Sequence, residues 1–215
     1  MIAVKKQDIQ DHIYNYVKEQ IMTRAIFPGS RIVEDDLSND FGVSRAAVRN
    51  VMTRLQNDGF VEIIPNKGTI VIKPTDEEIR KVYHTRLHLE LGAGALAVQN
   101  ITDEALARLE ENYAAQVKLK DDFSMEAYTE LNRAFHWEIV RASNNDYYAK
   151  YLNEIYTVVH IFMIFYDTAR DNRQSLKNHR LLLDALKARD PQKVEEAIRL
   201  DNASGMDDIS RGCGV

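Results

Sequence analysis

Two pairs of side chains, each spaced four residues apart, have the chemistry to bind a metal ion. Asn132 and His136 form one pair, and His84 and His88, with Glu90 close by, form the other. Residues i and i+4 lie on the same face of an α-helix, so each pair would point at one place. Zinc, nickel and manganese accept imidazole nitrogens and carboxylate oxygens as ligands. From their spacing alone, the two pairs are equal candidates.

A third group of residues suits phosphate and base edges instead. The segment "FGVSRAAVRNVMTRL" (41–55) places Arg45 and Arg49 on one helical face and its apolar side chains on another. Ser44 is a favourable N-cap for such a helix. Arginine donates two parallel hydrogen bonds to guanine and also binds phosphate. The alternative is an arginine face that only contacts water.

The elements around this segment decide between those alternatives. Apolar residues at helical spacing predict a helix over 7–24, a turn follows at Pro28-Gly29, and "EDDLSNDF" predicts a second short helix. After the arginine helix, "FVEIIPNKGTIVIK" predicts a hairpin with Lys67 and Gly68 at its tip. This order is that of a winged helix-turn-helix domain, so we expect Ser44, Arg45, Arg49, Lys67 and Gly68 to contact double-stranded DNA.

Charge is distributed unevenly along the 215 residues. The chain has a net charge of −5, but residues 1–74 contain 10 basic and 9 acidic side chains, whereas residues 75–215 contain 18 and 24. DNA binding therefore requires clustered positive charge, which Arg45, Arg49, Arg54 and Lys67 provide in this interpretation. A single cysteine, Cys213, and the lack of a membrane-spanning apolar stretch predict a cytoplasmic protein.

Beyond Lys73-Pro74 the pattern becomes entirely helical. Thr75 and Glu78 have the spacing of a capping box, which predicts that a helix begins there. The expected fold is therefore mostly α, with a winged helix-turn-helix domain over 1–73, including a two-stranded wing, and an all-helical bundle over 74–215. Helices are predicted at 76–99, 103–120, 125–142, 146–170, 174–188 and 191–208.

The first part of the chain resembles the winged helix-turn-helix domain of the GntR family. The matching segments are "FPGSRI", "FGVSRAAVRNVMTRL" and "DGFVEIIPNKGTIV", together with Glu34 and Leu37. The family's DNA-contacting positions correspond to Ser44, Arg45, Arg49 and Gly68, with Lys67 beside them. The chain departs from the family pattern at Asp35 and Asp36, one of which stands where a basic residue is usual.

The second part is similar to the FCD domain of the FadR subfamily, an effector-binding and dimerisation domain. The matching segments are "VYHTRLHLE", "NRAFHWEI" and "NHRLLLDALKARDPQKVEEAIRLD". This resemblance implies a divalent metal held by Asn132, His136, His179 and Asp201, where the family usually has an aspartate at the first position and a histidine at the last. The alternative for these four residues is a buried polar network without a metal.

The two resemblances together imply a transcriptional regulator. We expect a homodimeric repressor that binds a palindromic operator and responds to a small organic acid, with zinc, nickel or manganese as its metal. Arg86 would bind the effector's carboxylate, or it would form a structural ion pair with Glu90. A metal-dependent enzyme domain fused to a DNA-binding module is the alternative function, although the sequence has no HExxH motif or glycine-rich phosphate loop.

Overall fold

The computed structural model describes residues 6–23, 25–119, 122–166 and 173–212. Cys213 lies outside these ranges. The chain divides into two compact units, Met1–Lys73 and Pro74–Val215. The first unit combines helices with a small antiparallel sheet, and the second is helical throughout its described residues. The mostly α fold expected from the sequence is confirmed.

The N-terminal unit has the predicted order of elements, with one strand added. Its buried core includes aliphatic residues that recur at helical spacing in the first and third helices, which pack against each other. The elements are α1 (Lys6–Met22), β1 (Arg31–Ile32), α2 (Glu34–Asp40), α3 (Arg45–Asn57), β2 (Val61–Ile64) and β3 (Gly68–Val71).

Helix α3 begins as its sequence predicts. Ser44 has an extended backbone, and its side chain accepts a hydrogen bond from the Ala47 amide at 3.3 Å, which satisfies one of the free N–H groups of the first turn. Val48 and Leu55 have no exposed surface, whereas Arg45 and Arg49 are exposed. The hydrophobic face therefore fixes the helix in the core and turns its arginines toward solvent.

The prediction of a two-stranded wing was incomplete. Strand β3 pairs with β2 on one side and with the two-residue strand β1 on the other, so the sheet has three strands in the order β1-β3-β2. The hairpin turn uses positive φ angles at Asn66 (65°) and Gly68 (87°), a region in which glycine is favoured. Thr69 Oγ1 donates to Glu34 Oε1 at 2.8 Å, which ties the wing to the start of α2.

The C-terminal unit begins with the predicted capping box. The Thr75 side chain accepts from the Glu78 amide, and the Glu78 carboxylate accepts from the Thr75 amide at 2.7 Å. Every helix predicted in this unit is present among the described residues, with shifts of a few residues at some ends. Residue 120 and residues 167–170, the predicted ends of two helices, lie outside the described residues. The helices are α4 (Asp76–Asn100), α5 (Asp103–Lys118), α6 (Met125–Ala142), α7 (Asp146–Tyr166), α8 (Arg173–Lys187) and α9 (Pro191–Gly212).

The core of this unit surrounds a polar centre. One apolar cluster includes Phe135, Leu182 and Ile198, and a second includes Val140 and Leu152. Buried charged and polar side chains from α4, α6, α8 and α9 lie among these apolar residues. Among the described residues, none of the helices combines the length and the apolar composition needed to cross a bilayer.

Candidate functional site

The predicted DNA-contacting residues of the N-terminal unit lie at the start of α3 and at the hairpin. Ser44, Arg45 and Arg49 lie at the start of α3, and Lys67 is exposed at the hairpin tip beside Gly68. Arg45, Arg49 and Gly68 line the same groove, which runs between α3 and the wing. Exposed arginines at the N-terminal end of a helix next to a wing can reach both base edges and phosphates.

Arg54 does not belong to this surface, so its inclusion in the basic cluster was wrong. Its guanidinium forms an ion pair with Asp11 of α1 and lies 4.0 Å from the centre of the Tyr14 ring. The Tyr14 hydroxyl in turn donates to Asp58 at 2.7 Å, and burial together with this bond raises the pKa of Tyr14 to about 12. Arg54 therefore joins α1 to α3 and is a structural residue.

Arg31 was not identified from the sequence. This exposed arginine lies on β1, lines the same groove as Arg45 and Arg49, and approaches Gly68 closely: a Cβ on Gly68 would lie 3.2 Å from the Arg31 Nε. The signal was present in "FPGSRI", but the second strand pairing that brings Arg31 beside the wing involves only two residues. Arg31 therefore adds to the groove a positive charge that the sequence interpretation had assigned to Arg54.

The acidic departure from the family pattern lies against the recognition helix. Asp35, in the first turn of α2, accepts a hydrogen bond from Arg45 Nη2 at Oδ2 (2.9 Å), and its Oδ1 lies 2.8 Å from Arg45 Nε in the same ion pair. The pair is solvent-exposed, with 76% of the Arg45 side chain and 51% of the Asp35 side chain accessible. The carboxylate therefore contacts one of the two exposed arginines of α3 rather than lying apart from them.

Arg86 is the centre of a buried ionic cluster in the C-terminal unit. Its Nε donates to Glu90 Oε1 at 3.0 Å, and its Nη2 donates to Asp201 Oδ2 at 3.1 Å. The same Nη2 lies 3.2 Å from His136 Nε2. Burial alone would lower the pKa of the guanidinium, but the carboxylates of Glu90 and Asp201 outweigh burial and raise it. The ion pair with Glu90 is therefore present, and a second one with Asp201 accompanies it.

Three of the predicted metal-ligating residues converge beside Arg86. One donor atom from each of His136, His179 and Asp201 lies within 4.8 Å of the others. Asp201 Oδ2 is 3.2 Å from His136 Nε2, and Asp201 Oδ1 is 3.7 Å from His179 Nε2. Burial would raise the pKa of Asp201, but His136, His179 and Arg86 together hold it well below its ordinary value.

His179 is held in a form that can donate a lone pair. Its Nδ1 lies 2.8 Å from the amide oxygen of Gln116, so the hydrogen-bonding tautomer carries the proton on Nδ1 and leaves Nε2 as an acceptor. Burial lowers the pKa of His179 to about 3, which keeps the ring neutral at physiological pH. A hydrogen-bond acceptor that fixes the far nitrogen is the usual support of a metal-binding imidazole, and the Gln116 amide oxygen is such an acceptor. Gln116 was not identified from the sequence.

Asn132 is linked to this group through Ser175 rather than directly. Its Nδ2 lies 3.4 Å from Ser175 Oγ, which lies 3.4 Å from His179 Nε2. The rival pair, His84 and His88, is exposed on α4 with ring centres 4.3 Å apart and lies outside the buried cluster. Spacing alone made the two pairs equal candidates for a metal site, but only the pair that contains His136 lies at the buried cluster.

Two small cavities adjoin the cluster and share Arg86, Asn132 and Met163 in their walls. Their volumes are about 20 and 10 Å³, roughly enough for one water molecule each. The larger is also bordered by polar groups, including the side chains of Tyr83 and Ser204. An organic ligand can enter only if side chains or helices move.

Comparisons with known proteins match both units. "Bacterial regulatory proteins, gntR family" matches residues 9–71, and "FCD domain" matches residues 81–201. The HTH-type transcriptional regulator McbR of Escherichia coli K12 is 27% identical over 183 residues, which cover 84% of this chain and 83% of McbR. The gluconate operon transcriptional repressor of Bacillus licheniformis is 27% identical over 186 residues, covering 81% of this chain and 74% of the repressor.

Solved structures agree on the fold. E. coli McbR/YncC has a TM-score of 0.71 at 24% identity, with 94% of this chain and 97% of that chain covered. A GntR regulator from Rhodococcus sp. RHA1 has a TM-score of 0.67 at 23% identity, covering 96% and 98%. The winged helix-turn-helix unit, the helical bundle and these matches lead to one conclusion: the chain belongs to the GntR family of bacterial regulatory proteins, in the branch that carries an FCD domain.

Proposed function

We propose that this protein is a transcriptional repressor that binds a palindromic operator as a homodimer and is controlled by a small organic acid. The observation that carries the proposal is the arginine groove of the N-terminal unit, in which Arg45 and Arg49 are exposed beside the wing. The names of the relatives favour a regulator and give no support to the metal-dependent enzyme. A protein that acts on DNA in this way works in the cytoplasm of a bacterium.

In this proposal the DNA contacts have separate roles. Arg45 and Arg49 read base edges in the major groove, where arginine binds guanine O6 and N7. Ser44 contacts a phosphate with its hydroxyl while it caps α3. Lys67 binds a phosphate at the wing tip, and Gly68 allows the hairpin backbone to approach the duplex.

Dimerisation follows from the small charge of one DNA-binding unit. Residues 1–74 carry a net charge of only +1, and Asp35 forms an ion pair with Arg45 that offsets part of its positive charge. One unit therefore offers few phosphate contacts, and affinity for DNA depends strongly on their number. Two copies related by a twofold axis double the contacts and match a palindromic site.

The buried donor set fits a divalent metal. His136, His179 and Asp201 provide two imidazole nitrogens and a carboxylate within 4.8 Å, and the Asn132 amide would be the fourth donor after Ser175 moves. Zinc, nickel and manganese accept these ligand types. When bound, the metal would supply positive charge and a position for an anionic ligand. Arg86 Nη2 lies 3.2 Å from His136 Nε2 and would have to move away, because the metal would need the lone pair of that nitrogen.

Charge explains why an organic acid would need that metal. Arg86 contributes one positive charge, and Glu90 and Asp201 contribute two formal negative charges in a buried site. With both imidazoles neutral the cluster has a formal charge of −1, which repels a carboxylate in a low-dielectric environment. A divalent ion changes this to +1, and the Arg86 guanidinium can then turn to the incoming carboxylate. Because the cavities are small, binding would also rearrange the helices that line them.

Elemental analysis tests the metal part of the proposal. The wild type, His136→Ala and His179→Ala would each be incubated with zinc, nickel or manganese and freed of excess ion. We expect close to one equivalent in the wild type and a large loss in both variants, with His84→Ala as a control that keeps its metal. Equal and negligible metal in all of them would mean that the four residues form a polar network.

Sedimentation with DNA tests the dimer and the operator. Duplexes enriched by the full-length protein from a random-sequence library should contain a motif with twofold symmetry. Each enriched duplex should then sediment with two protein chains. A clean monomer at micromolar concentration, both with and without such a duplex, would contradict the proposal.

A further inference from the structure

Asp35 is an acidic residue in the groove that presents the arginines of the N-terminal unit. It lines the groove together with Arg31, Arg45 and Arg49. A carboxylate near a DNA backbone opposes binding, because the duplex carries one negative charge for about every 1.7 Å of its axis. Helix α2 also contains Asp36, which is exposed in the same turn. Asp35 differs from Asp36 in its bidentate contact with Arg45.

The geometry of that contact determines what Arg45 can still do. A planar guanidinium has five N–H donors on two usable edges. Asp35 occupies the edge formed by Nε and Nη2, at 2.8 and 2.9 Å. The edge formed by Nη1 and Nη2 faces away from a carboxylate bound in this way. That second edge matches the O6 and N7 acceptors of guanine.

The contact with Asp35 also limits the ability of the Arg45 guanidinium to bind DNA phosphates. An unrestrained arginine at the start of a recognition helix can bind phosphate at any sequence, which adds affinity without discrimination. An exposed ion pair adds little to folding stability, so the pair is a weak stabiliser of the unit. A bidentate contact nevertheless restricts the plane and direction of the side chain.

We propose that Asp35 is a positioning residue for DNA reading, which holds Arg45 with its outer edge toward guanine and keeps it off the phosphates. The proposal depends on the DNA-contacting role of Arg45 given above. Asp35 thereby exchanges some total affinity for selectivity at the one base pair that Arg45 contacts.

The test compares two variants that change charge equally. Full-length wild type, Asp35→Asn, Asp36→Asn and Arg45→Ala would each be used to select duplexes from a random-sequence library, and the base preference at each position would be measured. Both asparagine variants remove one negative charge from the same turn of α2. Any difference between them therefore reports the contact with Arg45 rather than charge.

We expect Asp35→Asn to reduce the preference for guanine about tenfold at the position that Arg45→Ala also relaxes, and to leave other positions sharp. The slope of log affinity against log salt on scrambled duplex should increase by about 0.9, as one more phosphate contact forms. Asp36→Asn should retain the wild-type motif. A general loss of folding would not relax a single position.

The outcomes separate this proposal from the one on which it rests. If Arg45→Ala relaxes one position but Asp35→Asn and Asp36→Asn both retain it with equal salt slopes, Asp35 does not position Arg45. If Arg45→Ala leaves every position unchanged, the role of Arg45 in DNA reading is itself wrong. Relaxation by Asp35→Asn at a position that does not depend on Arg45 would also overturn the proposal.

Discussion

The two units of this protein use the same kind of ion pair in opposite environments. Arg45 and Asp35 meet with 76% and 51% of their side chains exposed, whereas Arg86 and Asp201 meet with 5% and 8% exposed. The contact distances are nearly equal, at 2.8 and 3.1 Å. The pairs differ in how many atoms they join, since Asp35 meets its arginine at two nitrogens and Asp201 at one, but the larger difference is in the solvent around them.

Solvation determines what each pair can be used for. In water, an ion pair contributes only about 0–1 kcal/mol to folding, so Asp35 can orient Arg45 while the outer edge of the guanidinium stays free to bind a base. A buried guanidinium has no water to replace a lost partner, so the loss of one carboxylate without a new ligand leaves an uncompensated charge. The exposed pair is thus suited to reading DNA, and the buried pair is suited to organising a ligand site.

The largest expected effect is on the buried pair. Arg86→Met removes the positive charge and leaves Glu90 and Asp201 facing each other in the core. We expect the free energy of unfolding to fall by about 3–5 kcal/mol, measured by urea denaturation in the presence of a chelator. Arg80→Ala, which breaks a more exposed pair with Asp76 on the same helix, is the matched control and should have little effect. Equal losses in both variants would remove the distinction between the two environments.

The next effect depends on pH. An unfolded histidine titrates near 6.5, whereas burial lowers the pKa of His179 to about 3, so between these values the unfolded chain binds a proton that the folded chain excludes. Stability should therefore decrease as pH falls below about 6.5, by up to roughly 1.4 kcal/mol per pH unit from this residue. Denaturation of the metal-free protein at pH 7, 6 and 5 measures it. His179→Gln should flatten the dependence, and the exposed control His84→Gln should leave it unchanged. A slope unaffected by His179→Gln would contradict this.

Specific DNA affinity should change by a smaller amount. Arg45→Ala and Arg49→Ala should each cost on the order of 1–3 kcal/mol on a selected duplex, because each removes one of the base contacts proposed above. Fluorescence anisotropy at fixed salt measures this loss. Arg199→Ala removes the same charge from an exposed site in the other unit and should bind as the wild type does. If both α3 variants bind like this control, α3 is not the helix that reads base edges.

The smallest effect is expected for the stability of the exposed pair. Asp35→Ala should change the free energy of unfolding by less than about 1 kcal/mol, since water solvates Arg45 once its partner is removed. Urea denaturation of this variant beside Arg86→Met compares the two environments in one assay. A loss of unfolding free energy as large as that of Arg86→Met would mean that the exposed pair, like the buried one, is needed for the fold.

Local sequence patterns predicted the parts of the fold that depend on neighbouring residues. The N-cap at Ser44 and the capping box at Thr75 involve residues three positions apart, and both are present. Strand β1 was missed because two residues carry too little periodicity to be recognised. The ion pair between Arg54 and Asp11 spans 43 positions, and no local pattern could associate those two residues.

The buried site was harder to predict for the same reason. Arg86, His136 and Asp201 come from three helices and are separated by 50 and 65 positions, so helical spacing could place none of them beside another. The resemblance to a known domain brought His136, His179 and Asp201 into one set, and the geometry agrees with that grouping. It did not reveal that Arg86 donates to Asp201 at 3.1 Å and lies 3.2 Å from His136 Nε2, because that depends on side-chain packing.

Selective DNA binding by the exposed arginines of α3, Arg45 and Arg49, is the central claim. The most direct measurement is the ratio of dissociation constants for a selected duplex and for a scrambled duplex of equal length, with the full-length wild type at one salt concentration near physiological. We predict a selected site bound at least a thousandfold more tightly, the lower end of the range for specific DNA-binding proteins. A ratio near one would contradict the account, because the arginines would then be binding phosphate without reading sequence.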